Sequence, residues 1–184
     1  MRSTIFDIDT KLLLDAMKYY ESIGYHPIEA PMLVDDDIIK LTLPPDRLSE
    51  KHMGLNYVGS AEQSFYQLLK DKGYLYPGSY MLVTPCRRDE VPSISHLRIF
   101  LKIELISLEK TREEVLKDVQ LFYETRLKIP TETVPTIDGY DININSIEVG
   151  SFGNRFINNG WITYGTGLAL PRISYALNNT IEQE

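Results

Sequence analysis

The sequence predicts an α+β domain in which helices flank a mostly antiparallel sheet. Its helical and extended segments follow one another as helix, strand, helix, hairpin, helix, strands and helix, without the regular alternation of βαβ units. The hairpin is the clearest element, because two apolar, β-prone segments, 80–84 and 99–106, are joined by a charged loop. With 184 residues the chain is long enough for one domain with a substantial core.

The first predicted element is a helix over Asp9–Ile23. Its apolar residues recur at helical spacing, and Asp9 or Thr10 can cap the start. Gly24 follows and can end the helix in a left-handed conformation.

An extended segment is predicted over Tyr25–Val34. Pro27 and Pro31 cannot donate hydrogen bonds to a neighbouring strand, so we expect this segment at a sheet edge or an interface. The acidic, proline-containing stretch Asp35–Ser49 is predicted as a loop or a short helix, and Ser60–Lys70 as a helix with apolar residues on one side.

After the hairpin, the pattern predicts a long helix over Thr111–Leu127, since Thr111 and Glu114 have the spacing of a capping box. The remaining predictions are a connector over Pro130–Gly139, strands over Tyr140–Val149 and Trp161–Leu168, and a final helix opened by Pro171 that runs through Leu177.

The overall composition excludes few classes of function. The net charge of −7 is unfavourable for a nucleic-acid surface but compatible with a small ATP site. Cys86 is the single cysteine, which excludes an intramolecular disulfide and favours a reducing compartment. The sequence contains neither an apolar run long enough to span a bilayer nor a signal-peptide pattern, so we expect a cytoplasmic protein that does not engage a membrane.

Polar residues around the hairpin loop form the most informative pattern in the chain: Arg88, Glu90, His96, Phe100 and Glu104. Residues two or four positions apart on a strand share a face, so one sheet face would carry most of them, His96 included if its strand begins there. A nucleotide site uses every part of this set: cations for phosphates, a ring for base stacking, and acids for a metal ion or an amine. From the residues alone, a surface ion pair between Arg88 and Glu90 and a core position for Phe100 are the alternatives.

Three separated segments resemble the signature motifs of the class II aminoacyl-tRNA synthetases. Gly24–Pro31, which follows a helix, resembles motif 1, whose proline lies at the dimer interface in that family. Arg88–Glu104 resembles motif 2, in which an arginine and a glutamate precede a loop, then a phenylalanine and an acid four residues apart. Gly165–Arg172 is similar to motif 3, a glycine-rich strand end followed by an arginine that opens a helix.

Two further segments agree with this resemblance and occur in the family's order. Asp141–Ser151 is similar to the family's penultimate strand, especially in the aspartyl and lysyl branch. Ser60–Glu62, at the start of a helix, resembles its amino-acid recognition segment. The resemblance therefore extends over nearly the whole chain and implies a class II synthetase-like fold.

The resemblance implies ATP-dependent activation of an amino acid as an aminoacyl-adenylate. Arg88 and Arg172 would be catalytic, because cations stabilise the charge that builds on the α-phosphate. The implied ATP-binding residues are Arg88, Glu90, His96, Phe100 and Arg172; the amino-acid-binding residues are Ser60, Glu62, Arg88, Glu104 and Ser151; the Mg²⁺ ligands are Asp141 and Glu148; and the residues of a homodimer interface are Pro27, Ile28 and Pro31.

Single residues among these allow simpler explanations. Asp141 and Glu148 are also compatible with solvated charges, and Glu62 with a carboxylate that favours the positive end of a helix dipole. Cys86, beside two arginines, could have a lowered pKa, although a plain strand position accounts for it as well.

The sequence departs from the family pattern in motif 3 and in length. Ala169 and Pro171 stand where the family often has a glycine and an acid, and Arg87 where a phenylalanine is common. We expect residues 1–184 to form a single catalytic domain without an anticodon-binding domain. The activated amino acid would then pass to tRNA, a carrier protein or a small molecule; the alternative is a non-catalytic, homodimeric binding or regulatory protein.

Overall fold

A computed structural model describes residues 8–44, 47–73, 76–89, 97–157 and 160–178. Within these ranges the α-helices are α1 (Thr10–Ser22), α2 (Asp36–Ile39), α3 (Ala61–Lys72), α4 (Arg112–Phe122) and α5 (Arg172–Asn178). The strands are β1 (Tyr25–Ile28), β2 (Leu33–Val34), β3 (Lys51–His52), β4 (Leu55–Tyr57), β5 (Ser79–Arg87), β6 (Ile99–Ser107), β7 (Glu132–Pro135), β8 (Gly139–Ile144), β9 (Ile147–Ile157) and β10 (Gly160–Leu170).

The main sheet has seven strands in the order β1-β5-β6-β10-β9-β8-β7, and a small sheet has the order β2-β4-β3. All neighbours in the main sheet are antiparallel except β1 and β5, which are parallel. The predicted α+β class with a mostly antiparallel sheet is therefore confirmed. The expected edge position of Pro27 is confirmed as well, because β1 is the last strand of the sheet.

Local signals set the helix ends. The Asp9 carboxylate accepts a hydrogen bond from the Leu12 amide at 2.9 Å, and Gly24 follows α1 with a φ of +96°. The predicted capping box at α4 is present, with the Thr111 amide donating to Glu114 at 2.7 Å and the Glu114 amide donating to the Thr111 hydroxyl at 3.3 Å. The predicted helix over Thr111–Leu127 is confirmed with one change, since its last turn, Tyr123–Leu127, is π-helical.

Two predicted elements were wrong. The segment Tyr140–Val149 is not one strand, because the chain reverses at Asn145 and Ser146 and forms a hairpin of β8 and β9. Both turn residues have positive φ, 50° and 63°, as a two-residue hairpin turn requires. The expected connector over Pro130–Gly139 contains the edge strand β7, which pairs with β8.

The sheet separates two hydrophobic clusters, because alternate residues of each strand face opposite sides. On one side, Leu105 of β6 is buried with residues of α1 and α4, including Tyr20 and Phe122. On the other side, Ile106 is buried with Phe65 of α3. The second side is called the α3 face below. In the part of the chain that the structure describes, no helix is long and apolar enough to cross a membrane.

Candidate functional site

A cavity of about 300 Å³ opens on the α3 face of the sheet. It lies between the start of α3, the segment before β3, and the strands β5, β6 and β9; we call it the central cleft. The charged side chains that line it include Arg47, Arg87, Arg88, Lys102, Arg155, Glu62 and Asp89. The central cleft is therefore locally cationic in a chain whose net charge is −7.

The start of α3 is fixed to the sheet by hydrogen bonds of Ser60 and Gln63. The Gln63 side-chain oxygen accepts from the Gly59 amide at 2.7 Å and from the Ser60 amide at 3.3 Å. The Ser60 hydroxyl accepts from the Glu62 amide at 3.3 Å and donates to Glu104 of β6 at 2.6 Å. These bonds hold the first turn of α3, and with it Glu62, against the sheet.

Lys102 and Glu104 form a buried ion pair on β6. They are two residues apart and so share the α3 face; Lys102 is 6 % exposed and Glu104 is 0 % exposed. The Lys102 Nζ lies 2.6 Å from the Glu104 Oε2, while Glu104 Oε1 is buried and has no hydrogen-bond partner among the described residues. The pair offers a carboxylate oxygen and an ammonium beside the cleft, both of which are nearly free of competing water.

Glu62 is buried in a second ion pair, with Arg155 of β9. The Arg155 Nε donates to Glu62 Oε1 at 2.7 Å, and the Tyr66 hydroxyl donates to the same oxygen. Burial raises the pKa of Glu62 above its ordinary value, although the nearby Arg155 opposes this shift. The Glu62 carboxyl group is thus held by two hydrogen bonds to one oxygen, and Arg155 is the cation that faces it.

Arg88 lies at the end of β5, at the mouth of the central cleft. Its backbone amide donates to the Arg98 carbonyl at 2.8 Å, which continues the pairing of β5 with β6, and its Nε donates to the Gly59 carbonyl at 2.8 Å. The guanidinium carbon lies 5.0 Å from the centre of the Phe100 ring, which is 7 % exposed. Phe100 is therefore both a core residue and a platform for a cation.

Asp141, Glu148 and Arg172 form a polar group beside the central cleft. Strand pairing places Asp141 opposite Ser151 and Glu148 opposite Asn143. The Arg172 Nη1 lies 3.1 Å from Glu148 Oε1. Burial, and then the nearby Glu148, raise the pKa of Asp141. A carboxyl group whose pKa is raised by burial and by a neighbouring carboxylate favours a cation nearby.

Ser151 links this polar group to the central cleft. It lines the cleft, and its amide donates to the Thr166 hydroxyl of β10 at 3.4 Å. Asp141 is the cross-strand partner of Ser151. The residues predicted to bind the amino acid and those predicted to bind the metal ion therefore share one face of the sheet.

The predicted amino-acid-binding residues converge, whereas the other sets are spread out. Ser60, Glu62, Arg88 and Ser151 line the central cleft, and Glu104 contacts it through Ser60. Glu90 and His96 lie outside the described residues, and β6 begins only at Ile99. Of the predicted dimer residues, Pro27 and Ile28 belong to the edge strand β1, and the Pro31 carbonyl accepts from Ser64 at 2.6 Å.

Among the described residues, no group of three or more His, Cys, Asp or Glu side chains could hold a metal ion. Mg²⁺ usually needs only one or two protein carboxylates and takes its other ligands from water and phosphates, so the pair Asp141 and Glu148 suits it.

The sequence interpretation missed Lys102, Arg155 and Tyr66. Lys102 lies between Phe100 and Glu104 at the same two-residue spacing, which was enough to place it on their face. Arg155 follows Ser151 by four residues on β9 and so shares its face. The predicted strand ended at Val149, so the prediction placed Arg155 on no strand.

Cys86 is a buried strand residue and not a reactive thiol. It is 0 % exposed, and burial raises its pKa to about 12 in spite of Lys102 and Arg88 nearby. The expected strand position is confirmed; the alternative of a lowered pKa was wrong, because desolvation outweighs the neighbouring cations.

Comparison with known proteins gives matches in structure but none in sequence. No family model matches the chain, and no curated protein matches it. The pyrrolysyl-tRNA synthetase from Desulfitobacterium hafniense superposes with a TM-score of 0.73 at 16 % identity, covering 92 % of this chain and 69 % of that one. The seryl-tRNA synthetase from Pyrococcus horikoshii complexed with ATP superposes with a TM-score of 0.75 at 18 % identity, covering 94 % and 50 %. The serine-tRNA ligase from Naegleria fowleri in complex with AMP gives 0.70 at 16 % identity, covering 91 % and 48 %.

The chain has the fold of a class II aminoacyl-tRNA synthetase catalytic domain. This confirms the fold that the three sequence motifs implied. The chain spans about half the length of the two seryl enzymes that it matches.

Proposed function

We propose that the protein activates an amino acid with ATP, forming an aminoacyl-adenylate and releasing pyrophosphate. One observation carries this proposal: in a class II synthetase fold, Ser60, Glu62 and Arg88 line a single cleft that Glu104 also contacts. The seryl enzyme with ATP and the ligase with AMP are similar in fold, which supports a nucleotide as the second ligand.

Arg88 is the proposed catalytic cation. An oxygen of the amino-acid carboxylate attacks the α-phosphorus of ATP, a new P–O bond forms, and the bond to the pyrophosphate oxygen breaks. Negative charge builds on the α-phosphate oxygens, and a guanidinium already held in place stabilises it without reorganisation. The Gly59 carbonyl holds Arg88 by its Nε and so orients the planar guanidinium. A guanidinium can bind a carboxylate and a phosphate through its planar fork, which is the role proposed for Arg88.

Phe100 and Arg172 are proposed to enclose the adenine ring. Arg88 lies over Phe100 and Arg172 pairs with Glu148, so nucleotide binding would exchange these internal contacts for contacts with ATP. Glu90 is proposed to accept a hydrogen bond from the adenine amino group, and His96 to contact the pyrophosphate.

Asp141 and Glu148 are the proposed ligands of Mg²⁺. Two neighbouring carboxylates, one with a raised pKa, fit a hard divalent cation that also binds phosphate oxygens. When bound there, Mg²⁺ would neutralise phosphate charge. Arg172, which contacts Glu148, orients one of the two ligands.

The decisive experiment is amino-acid-dependent exchange of pyrophosphate into ATP, run with each standard amino acid. Arg88→Ala should reduce exchange by about 10²–10³-fold, the usual cost of removing one such charge-stabilising group. Arg126→Ala is the matched control, because Arg126 is exposed and lies over Tyr19, outside the central cleft. Absence of exchange with every amino acid would refute adenylate formation, and calorimetry with ATP would then show whether the nucleotide still binds.

Transfer to an acceptor is the second half of the proposal. Radiolabelled amino acid incubated with ATP and total tRNA should give acid-precipitable label if tRNA is the acceptor. Exchange without such label would favour a carrier protein or a small molecule instead. ATP binding without exchange would favour the non-catalytic alternative.

A homodimer is proposed through the segment that contains Pro27, Ile28 and Pro31. An edge strand exposes unpaired backbone groups, and a second copy can cover them. Light scattering should give twice the chain mass, and Ile28→Asp should give the monomer; a monomeric wild-type protein would contradict this proposal.

A further inference from the structure

The ion pair of Glu62 and Arg155 has a feature that adenylate formation by itself does not require. Arg155 belongs to β9 and lines the central cleft, and its side chain is 35 % exposed. A cation that served only to neutralise Glu62 could be fully enclosed; this one lines the space where the amino acid is proposed to bind.

Arg155 uses only part of its donor capacity inside the protein. Its Nε donates to Glu62 at 2.7 Å, and its guanidinium carbon lies 5.4 Å from the Tyr164 ring centre. Its terminal nitrogens have no hydrogen-bond acceptor within the described ranges. Four N–H donors in a planar fork are therefore left for a ligand, in a geometry that matches a carboxylate.

Glu62 presents its unused oxygen beside this fork. Oε1 accepts from both Arg155 and Tyr66, whereas Oε2 accepts from no described residue. The pair thus offers one carboxylate oxygen and one guanidinium fork side by side. This arrangement suits a ligand that carries an ammonium and a negatively charged group a few bonds apart.

The charges of the central cleft point the same way. Three cations, Arg88, Lys102 and Arg155, surround the buried carboxylates Glu62 and Glu104. A bound amino acid with an apolar side chain would leave the guanidinium of Arg155 without a hydrogen-bond acceptor in a partly desolvated site, which costs free energy. A second carboxylate on the substrate would satisfy it and balance the remaining positive charge.

We infer that the amino acid activated in the central cleft is an acidic one, whose side-chain carboxylate is bound by Arg155 while Glu62 holds its α-ammonium and Arg88 its α-carboxylate. This inference rests on the proposed function. It makes Arg155 the residue that determines specificity.

The test compares acids with their uncharged amides of the same shape: aspartate with asparagine, and glutamate with glutamine. Wild-type kcat/KM in the exchange assay should favour one acid over its amide by about 10²-fold or more, since a site built around a polar contact strongly rejects an analogue that lacks it. Arg155→Gln should lower kcat/KM for the acid by at least about 10²-fold. The ratio of kcat/KM for the acid to kcat/KM for its amide should then be close to one. Arg126→Gln should keep the wild-type ratio.

Arg155→Lys separates recognition from folding. Lysine keeps a positive charge for Glu62 but loses the planar fork, so it should fold and still lose most of the preference for the acid. A wild-type ratio in Arg155→Lys and Arg155→Gln would mean that Arg155 only neutralises Glu62, and the inference would be wrong.

The remaining outcomes separate this inference from the proposed function. Exchange with a neutral amino acid alone would overturn the acidic substrate and leave adenylate formation standing. Absence of all exchange would overturn adenylate formation. In that case calorimetry with aspartate and glutamate decides: binding lost in Arg155→Gln and retained in Arg126→Gln supports an acidic ligand, and no binding to the wild-type protein excludes it.

Discussion

Replacing Lys102 by methionine should destabilise the protein strongly. Among the described residues, Lys102 is the only charged side chain within ion-pair distance of Glu104, and Glu104 is fully buried. Methionine fills most of the volume of the lysine stem, so the change isolates the charge from the packing. Glu104 would keep the Ser60 hydroxyl, 2.6 Å from Oε2, as its remaining donor.

The expected cost is about 3–5 kcal/mol, the usual result of leaving one partner of a buried ion pair behind. Glu104→Leu should cost a similar amount, because it leaves the Lys102 ammonium in the same place. The double variant Lys102→Met, Glu104→Leu removes both charges, and apolar replacements of a buried pair are often neutral or stabilising. We therefore expect it to be more stable than either single variant by at least about 2 kcal/mol.

Urea unfolding followed by circular dichroism measures these differences, provided that the slope of the transition is unchanged. Lys51→Met is the matched control, since Lys51 pairs with Asp36 at 2.7 Å but both side chains are about half exposed. It should change the unfolding free energy far less, because exposed pairs contribute little. Single variants at Lys102 and Glu104 that cost no more than this control, or a double variant whose cost is the sum of the two, would refute the reasoning.

Three other predictions follow from burial and packing. Burial raises the folded-state pKa of Glu62, so the native state binds this proton more tightly than the unfolded state does. Protonated Glu62 therefore contributes a stability that is fully present below the unfolded pKa and is lost as pH rises through the folded pKa. Glu62→Gln should remove that decline in urea unfolding measured from about pH 4 to 7, and a variant with the wild-type pH profile would count against this prediction. A Cβ on Gly165 would lie 2.5 Å from the Phe152 ring and 2.9 Å from Val115, so Gly165→Ala should destabilise the protein by about 1–3 kcal/mol. Gly160→Ala is the control and should be nearly neutral, because its Cβ would have its nearest contact at 3.8 Å. Equal unfolding midpoints of the two variants would show that the close packing at Gly165 does not determine stability. Cys86 should react with a thiol reagent at pH 8 only as fast as the protein unfolds, given its burial and a pKa of about 12, and rapid labelling of the folded protein would contradict this.

The sequence was sufficient for the elements that carry strong local signals. Asp9, Gly24 and the Thr111 capping box mark helix ends, and Pro27 marks an edge strand, because each acts through its own backbone geometry or hydrogen bonds. The reversal at Asn145 and Ser146 was missed because neither residue is glycine. A weaker signal was present: the apolar spacing changes from two between Ile142 and Ile144 to three between Ile144 and Ile147, which breaks the period of a strand.

The candidate site was predictable where its residues share one strand and not where they meet across strands. Phe100 and Glu104 were assigned to a common face from spacing alone. The contact of Glu62 with Arg155 joins residues 93 positions apart, and it depends on how α3 packs on the sheet, which no local pattern encodes. The misplaced end of the predicted strand at Val149 then removed Arg155 from consideration.

The two buried ion pairs are explained better by ligand binding than by stability. Apolar side chains of the same volume would stabilise this face of the sheet equally well, since desolvation offsets much of the attraction within a buried pair. Lys102 and Glu104 nevertheless lie beside Ser60, and Glu104 keeps one oxygen without a partner in the described structure. If these charges serve the substrate, the double variant Lys102→Met, Glu104→Leu should be more stable than each single variant and should lose amino-acid-dependent exchange. A double variant that is stable and still exchanges pyrophosphate at the wild-type rate would show that the pair on β6 has no part in the reaction.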